Sequence, residues 1–141
     1  MKPRFLLILV VISAWAASAI IAQAQSAYPS SSAIDSKGVL HRGEKYAGKT
    51  PPWMDDCINA VPFDYPYEER RFRHQGDGYF RLILDPKTGA VTRVIVKKST
   101  GFFVLDRTAI RALERWKWKP GKWKEIGMPV RFTLSRPPLR R

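Results

Sequence analysis

Few residues in this chain are placed to make or break bonds. His41 and His74 are the two histidines and Cys57 the one cysteine, and their spacing matches no metal-ligand pattern. There is no G-x-S-x-G elbow, no phosphate-cradling glycine loop and no H-E-x-x-H helix. Asp55-Asp56 resembles half of a metal site, but it lies in a strongly basic chain and reads as a pair of solvated carboxylates. His74 reads as a surface residue or a helix C-cap. The sequence therefore predicts no enzyme, no metal and no cofactor. The remaining chemistry is aromatic and cationic: Trp116-Lys117-Trp118-Lys119 and Lys122-Trp123-Lys124 alternate indoles with ammonium groups. Such a pattern can stack bases or sugars while neutralising an anionic backbone. The rival assignment is packing. Trp116 falls on the apolar stripe of a helix and is assigned to the core, as is Trp118, while Trp123 is left open.

The chain has 141 residues, 25 basic against 12 acidic, for a net charge of +13. That length suits one domain with appendages. Lys2 and Arg4 precede an uncharged run from Phe5 to Ala22, and Ala22-Gln23-Ala24 has the small-x-small form of a cleavage site. Residues 1–24 are read as a signal peptide. Because an uncharged run of 18 residues exceeds a signal core of about 7–15 and approaches the roughly 17–25 of a bilayer span, the alternative is an N-terminal membrane anchor. Both readings place the rest outside the cytoplasm. Without Lys2 and Arg4 that remainder still carries +11, a charge that invites anionic partners. A lone Cys57 forms no internal disulfide, so the domain must rest on its own core.

Residues 25–60 are rich in Ser, Gly, Lys and Pro, lack hydrophobic periodicity and are predicted to be a flexible linker. A compact unit is predicted over 61–135, followed by a basic, proline-containing tail over 136–141. Pro66 starts a short helix, with Glu68 and Glu69 in its first turn, a Glu69–Arg73 pair, and Gly76 as its stop. Phe80, Leu82 and Leu84 alternate along a first strand, Asp85 to Gly89 turns the chain, and Val94 and Val96 lie on a second. Leu105, Ala109, Ala112, Leu113 and Trp116 draw one stripe along a longer helix, which Pro120 ends. Met128, Val130, Phe132 and Leu134 share one face of a last strand. The fold class is α+β: two helices on a three-stranded antiparallel sheet, in the order helix-strand-strand-helix-strand. The strands lie 2-1-3, with strand three outside strand two as the alternative.

These landmarks, taken in order, resemble the C-terminal domain of TonB, the energy transducer of the Gram-negative envelope. The resemblance rests on Tyr65-Pro66, Gly76, Gly89, Val91 with Val94 and Val96, Ser99 with Gly101, Leu105-Asp106, Ala109, Trp116-Lys117-Trp118-Lys119-Pro120-Gly121, and Met128-Pro129-Val130. It implies a non-enzymatic periplasmic domain that captures an extended segment of an outer-membrane receptor, or of another envelope protein, by adding it to a sheet edge. Carried onto this sequence, the edge is strand three, and the partner-binding residues are Val130, Arg131, Phe132, Thr133 and Leu134, with Tyr65 and Pro66 at the entry to the first helix. Support of TonB-dependent transport is implied too. Energy transduction transfers poorly, because only the 36 residues from Gln25 to Ala60 separate leader and domain, roughly 30–36 Å as flexible coil. The competing reading is a basic structural domain that holds an anionic envelope polymer, with nucleic acid a less fitting ligand. The inner membrane is a partner only if residues 1–24 stay attached.

Overall fold

A computed structural model describes residues 30–134. The leader expected over 1–24 and the tail expected over 136–141 lie outside the described residues. In chain order the elements are β1 (Ser32–Asp35), β2 (Leu40–Arg42), a 3-10 turn (Gly43–Tyr46), α1 (Pro52–Asp55), β3 (Cys57–Asn59), α2 (Tyr67–Arg71), β4 (Gly76–Leu84), β5 (Val91–Lys98), α3 (Phe103–Leu113), β6 (Lys117–Trp118) and β7 (Trp123–Phe132). Among the described residues no helix is long and apolar enough to cross a membrane.

The architecture is α+β, built on an antiparallel sheet. Alternation along β4 buries Phe80, Leu82 and Leu84 on one face, and β7 buries Ile126, Met128, Val130 and Phe132 on the same side. Leu105, Ala109, Ala112 and Leu113 of α3 close over that face. Asp106 does more than complement the helix dipole: its carboxylate accepts the Thr100 N–H at 2.8 Å and the Thr100 hydroxyl at 2.6 Å, pinning the β5–α3 connection. The helix stops at Leu113, one turn short of the expected Trp116, yet Trp116 remains buried beyond it.

Several expectations need correction. Residues 30–60 do not form a flexible linker. They contribute two strands to the main sheet, whose order is β2-β1-β7-β4-β5, and a third strand, β3, that pairs with β6. Within it, β5-β4-β7 is the 2-1-3 order read from the sequence, but β7 is flanked on both sides rather than lying at the edge. The signal was weak because Ser31, Ser32 and Ala33 carry little side chain. The segment is instead held by Trp53, which is wholly buried. Four indole N–H groups fasten it: Trp53 donates to the Ser31 hydroxyl (3.1 Å), Trp116 to the Val61 carbonyl (2.8 Å), Trp118 to the Trp53 carbonyl (2.6 Å) and Trp123 to Asp56 (2.9 Å). All four acceptors fall between positions 31 and 61.

Two local readings also change. Glu69 meets His74 at 2.8 Å rather than Arg73. Arg73 instead terminates the α2 region in a left-handed conformation, with φ at 57°. Gly76 opens β4, where a Cβ would fall on the Thr100 carbonyl oxygen. Val94 is half-buried against the core, whereas Val96 is 41% exposed, because β5 is the outer strand on that side and α3 does not cover it.

Candidate strand-docking edge

Side chains of Val130 and Phe132 point into the core and are 2% and 3% exposed. Any partner on this strand would therefore meet its backbone, and the direction of each peptide group decides what is offered. In an antiparallel ladder a residue aims N–H and C=O at one neighbour, and the next residue aims at the other. Asp35 donates to the Val39 carbonyl on the β2 side, whereas Ser36 donates to the Lys122 carbonyl on the β7 side. Even-numbered residues of β1 thus face β7. Their partners in the register, Ser32 with Gly127 and Ile34 with Glu125, assign odd-numbered positions of β7 from Glu125 onward to the outer edge. Leu134 agrees, since its N–H reaches the Gln75 side chain beside β4. So does Pro129: having no N–H, it takes an outward position where no bond to β4 is lost.

The two long strands differ in regularity. β7 pairs with β4 through eight consecutive positions, from Gly76–Phe132 to Ile83–Glu125. On the opposite side of the sheet, β5 shifts register twice, at Tyr79/Phe80 and at Ile83/Leu84, and carries Arg93, Lys97 and Lys98. Bulges and lysines are devices that blunt an edge against pairing. The strand already seated on β7 is the chain's own β1, which covers Trp123 to Gly127 and is shifted at Ile34/Asp35.

Helices leave the other sheet face open. Across it Arg81 grips Glu125 with two bonds of 2.6 Å, and the Tyr79 hydroxyl meets the Ser32 hydroxyl at 2.9 Å. Tyr79 lies over Gly127, where a Cβ would collide with the phenol. Ser32, Ile34, Leu40, Lys97 and these groups line a shallow depression of about 230 Å³. Arg131 pairs with Asp77 at 2.9 Å, and Thr133 is exposed. Tyr65 donates to the His74 carbonyl at 2.5 Å and its ring packs edge-on against Phe132 at 5.2 Å, while Pro66 caps α2. Burial raises the Tyr65 phenol above its ordinary value. Tyr65 and Pro66 therefore adjoin the C-terminal end of β7, near Val130 to Leu134.

The aromatic-basic surface does not form as drawn. Trp118 is wholly buried and Trp123 is 8% exposed, so the indoles point inward while Lys117, Lys119, Lys122 and Lys124 stay at the surface. Asp56, read as a solvated linker carboxylate, is buried and holds Trp123, Lys119 and Lys122. Burial works to raise its pKa, but these three partners together hold the carboxyl below the usual aspartate range. Cys57 is half-buried in β3, and burial raises its thiol pKa. Among the described residues no three His, Cys, Asp or Glu side chains gather as a metal site. The sequence reading missed Ser32 and Ile34. A lone tryptophan behind Pro51-Pro52 was the one available sign.

An α+β domain of this kind, with helices on one face of an antiparallel sheet, is compatible with a TonB C-terminal fold. Residues 61–137 match the family described as Gram-negative bacterial TonB protein C-terminal, and the chain belongs to that family. The family is a non-enzymatic energy-transduction or protein-interaction domain of the Gram-negative envelope, whose members interact with proteins such as outer-membrane receptors. No curated protein matches the chain. β1, β2, α1 and β3 all precede the matched segment.

Proposed function

We propose that this protein is a periplasmic TonB-like binding domain that captures an extended segment of an outer-membrane receptor, or of another envelope protein, on the outer edge of β7, where the guest takes the place of β1. It would thereby support TonB-dependent transport. The observation that carries this reading is the seating of β1: this edge already accepts a strand, in antiparallel register from Ser32–Gly127 to Asp35–Trp123. The regular course of β7, against the bulged and lysine-bearing β5, favours the same edge. A backbone hydrogen bond is worth about 0.5–1.5 kcal/mol net, so a few of them give a reversible grip, and the short β1 ladder resists exchange by a similar amount. Selectivity then comes from guest side chains on the open face, beside Tyr79, Glu125 and Arg131, and at the Tyr65–Pro66 end.

Titration of the full chain with a receptor-derived TonB-box peptide tests this. Ile34→Pro removes a β1 donor aimed at β7, so it should tighten the peptide by about five- to tenfold, which corresponds to roughly 1 kcal/mol of lost competition. A proline scan of the peptide should weaken binding at alternate positions only. Salt should matter little. Unchanged affinity in Ile34→Pro, combined with loss of binding in high salt, would leave the anionic-polymer reading in its place.

A further inference from the structure

The outer side of α3 is not finished as a water-facing surface. Phe103 is 74% exposed and Val104 43%, at the start of the helix. On the same outer face Arg107 and Arg111 follow at helical spacing, with Arg115 just past its end. Like charges four residues apart destabilise a helix, and among the described residues these three arginines make no ion pair. Asp64 shares a depression with Arg111 and Arg115 without pairing to either, and Glu114 sits at the helix C-cap. Arg107 lies over the Phe103 ring at 5.9 Å.

The aromatic surface continues onto the α2 side. His74 stacks on Phe102 at 4.2 Å and on Phe72 at 5.8 Å, which places Phe72, itself 62% exposed, beside the α3 entry. Arg71 lies over Phe72 at 5.8 Å, and Arg70 and Arg73 flank it in sequence. Two exposed phenylalanines, each under an arginine, thus adjoin a row of exposed arginines that runs along α3. Nothing in the folding of the domain requires this: the core lies on the other side of α3 and is complete without it.

We propose that this part of the protein, Phe72, Phe103 and Val104 with Arg107 and Arg111, docks on an anionic phospholipid surface. The rings and Val104 enter the headgroup boundary and the guanidinium groups pair with lipid phosphates. Exposed rings beside unpaired guanidinium groups match a surface that offers both an apolar boundary and a dense array of phosphates. Each arginine near such a surface is worth roughly a fivefold gain in partitioning, so Arg107 and Arg111 together give on the order of twenty- to thirtyfold.

The test is local, because a leader over residues 1–24 would hold the full chain on any bilayer. In a Cys57→Ser background, Val104→Cys carries an environment-sensitive fluorophore, and Lys87→Cys, in the turn between β4 and β5, serves as the distant control. Vesicles of phosphatidylcholine, with or without phosphatidylglycerol, contain brominated acyl chains as quenchers. The label at 104 should be quenched on anionic vesicles and not on neutral ones, with the label at 87 unaffected. Arg107→Glu with Arg111→Glu should lower the quenched fraction at least tenfold while circular dichroism stays unchanged. A label at 104 that remains in water on anionic vesicles overturns the proposal. Equal quenching on neutral lipid, or at position 87, overturns it too. So does a spectral response to a soluble polyanion without quenching by brominated lipid, which would assign these residues to anionic polymer instead.

Discussion

If residues 30–60 are part of the folded unit, Trp53 must matter as much as any core residue of the family-matched segment. Its side chain is wholly buried. It meets Tyr46 edge-on at 5.5 Å and Trp123 at 6.0 Å, and its N–H is bonded to Ser31. Truncating a buried tryptophan costs about 3–5 kcal/mol. Two edge-to-face ring contacts at about 0.5–1.5 kcal/mol each and one hydrogen bond put Trp53→Ala in the upper half of that range. Trp53→Phe keeps an aryl ring and should cost roughly half as much. Urea unfolding of the full chain, followed by circular dichroism, reads both. Small domains have only about 5–15 kcal/mol in total, so the alanine variant should lose about a quarter or more of its stability in one cooperative transition. A change below about 1 kcal/mol would refute the placement of this segment in the core. A separate early transition carrying the whole effect would refute the single cooperative unit.

Asp56→Ala leaves the buried Trp123 N–H without its acceptor and should cost about 1–3 kcal/mol at neutral pH. The folded-state pKa of Asp56 lies below its unfolded value, so its contribution is complete above about pH 4 and is lost as pH falls through the lower folded value. The gap in thermal midpoint between wild type and variant should therefore narrow at low pH; a gap that widens there contradicts the assigned ionisation. Gly89→Ala should cost more than Gly38→Ala in denaturant midpoints. Both glycines have positive φ, at 73° and 87°, but a Cβ on Gly89 would strike the Trp118 carbonyl, whereas Gly38 faces open space. Strain alone predicts about 1–2 kcal/mol at Gly38, and equal costs would show that the Gly89–Trp118 approach is looser than drawn.

Strong periodicity made the matched half of the chain legible. Phe80, Leu82 and Leu84 alternate, and Leu105, Ala109, Ala112 and Leu113 recur at helical spacing, so each pattern fixes one buried face. The long helix was read one turn too far because Trp116 keeps the stripe in phase although the backbone has already left α3. Val96 was misassigned because alternation reports which face a residue shares, not whether a helix covers that part of the face. The N-terminal segment was illegible for a different reason. Its strands are three or four residues long, and Ala33 is the only residue of β1 or β2 that is buried. Its stability comes from contacts with Trp116, Trp118 and Trp123, far along the chain, which no local window contains.

Those long-range contacts bear on how a guest could be exchanged for β1. Trp118 and Trp123 bond Trp53 and Asp56, in or beside α1, and Trp116 bonds Val61; none of the three touches the β1 ladder through its N–H. The indole bond nearest β1 is the one from Trp53 to Ser31, just ahead of it. The N-terminal segment is therefore held at two levels. A deep attachment runs through Trp53 and Asp56, and a shallower one through the few backbone pairs of Ser32 to Asp35 on β7, the small buried side chain of Ala33 and the Ser32–Tyr79 bond. A guest strand competes only with the shallow level. On the proposed function, the guest would exchange with β1 while Trp53 stays in the core, so that opening the edge would not require unfolding the domain. The shift at Ile34/Asp35 and the polar Ser32 weaken the ladder where the proposed exchange would release it, and the buried indole supplies stability that the ladder lacks.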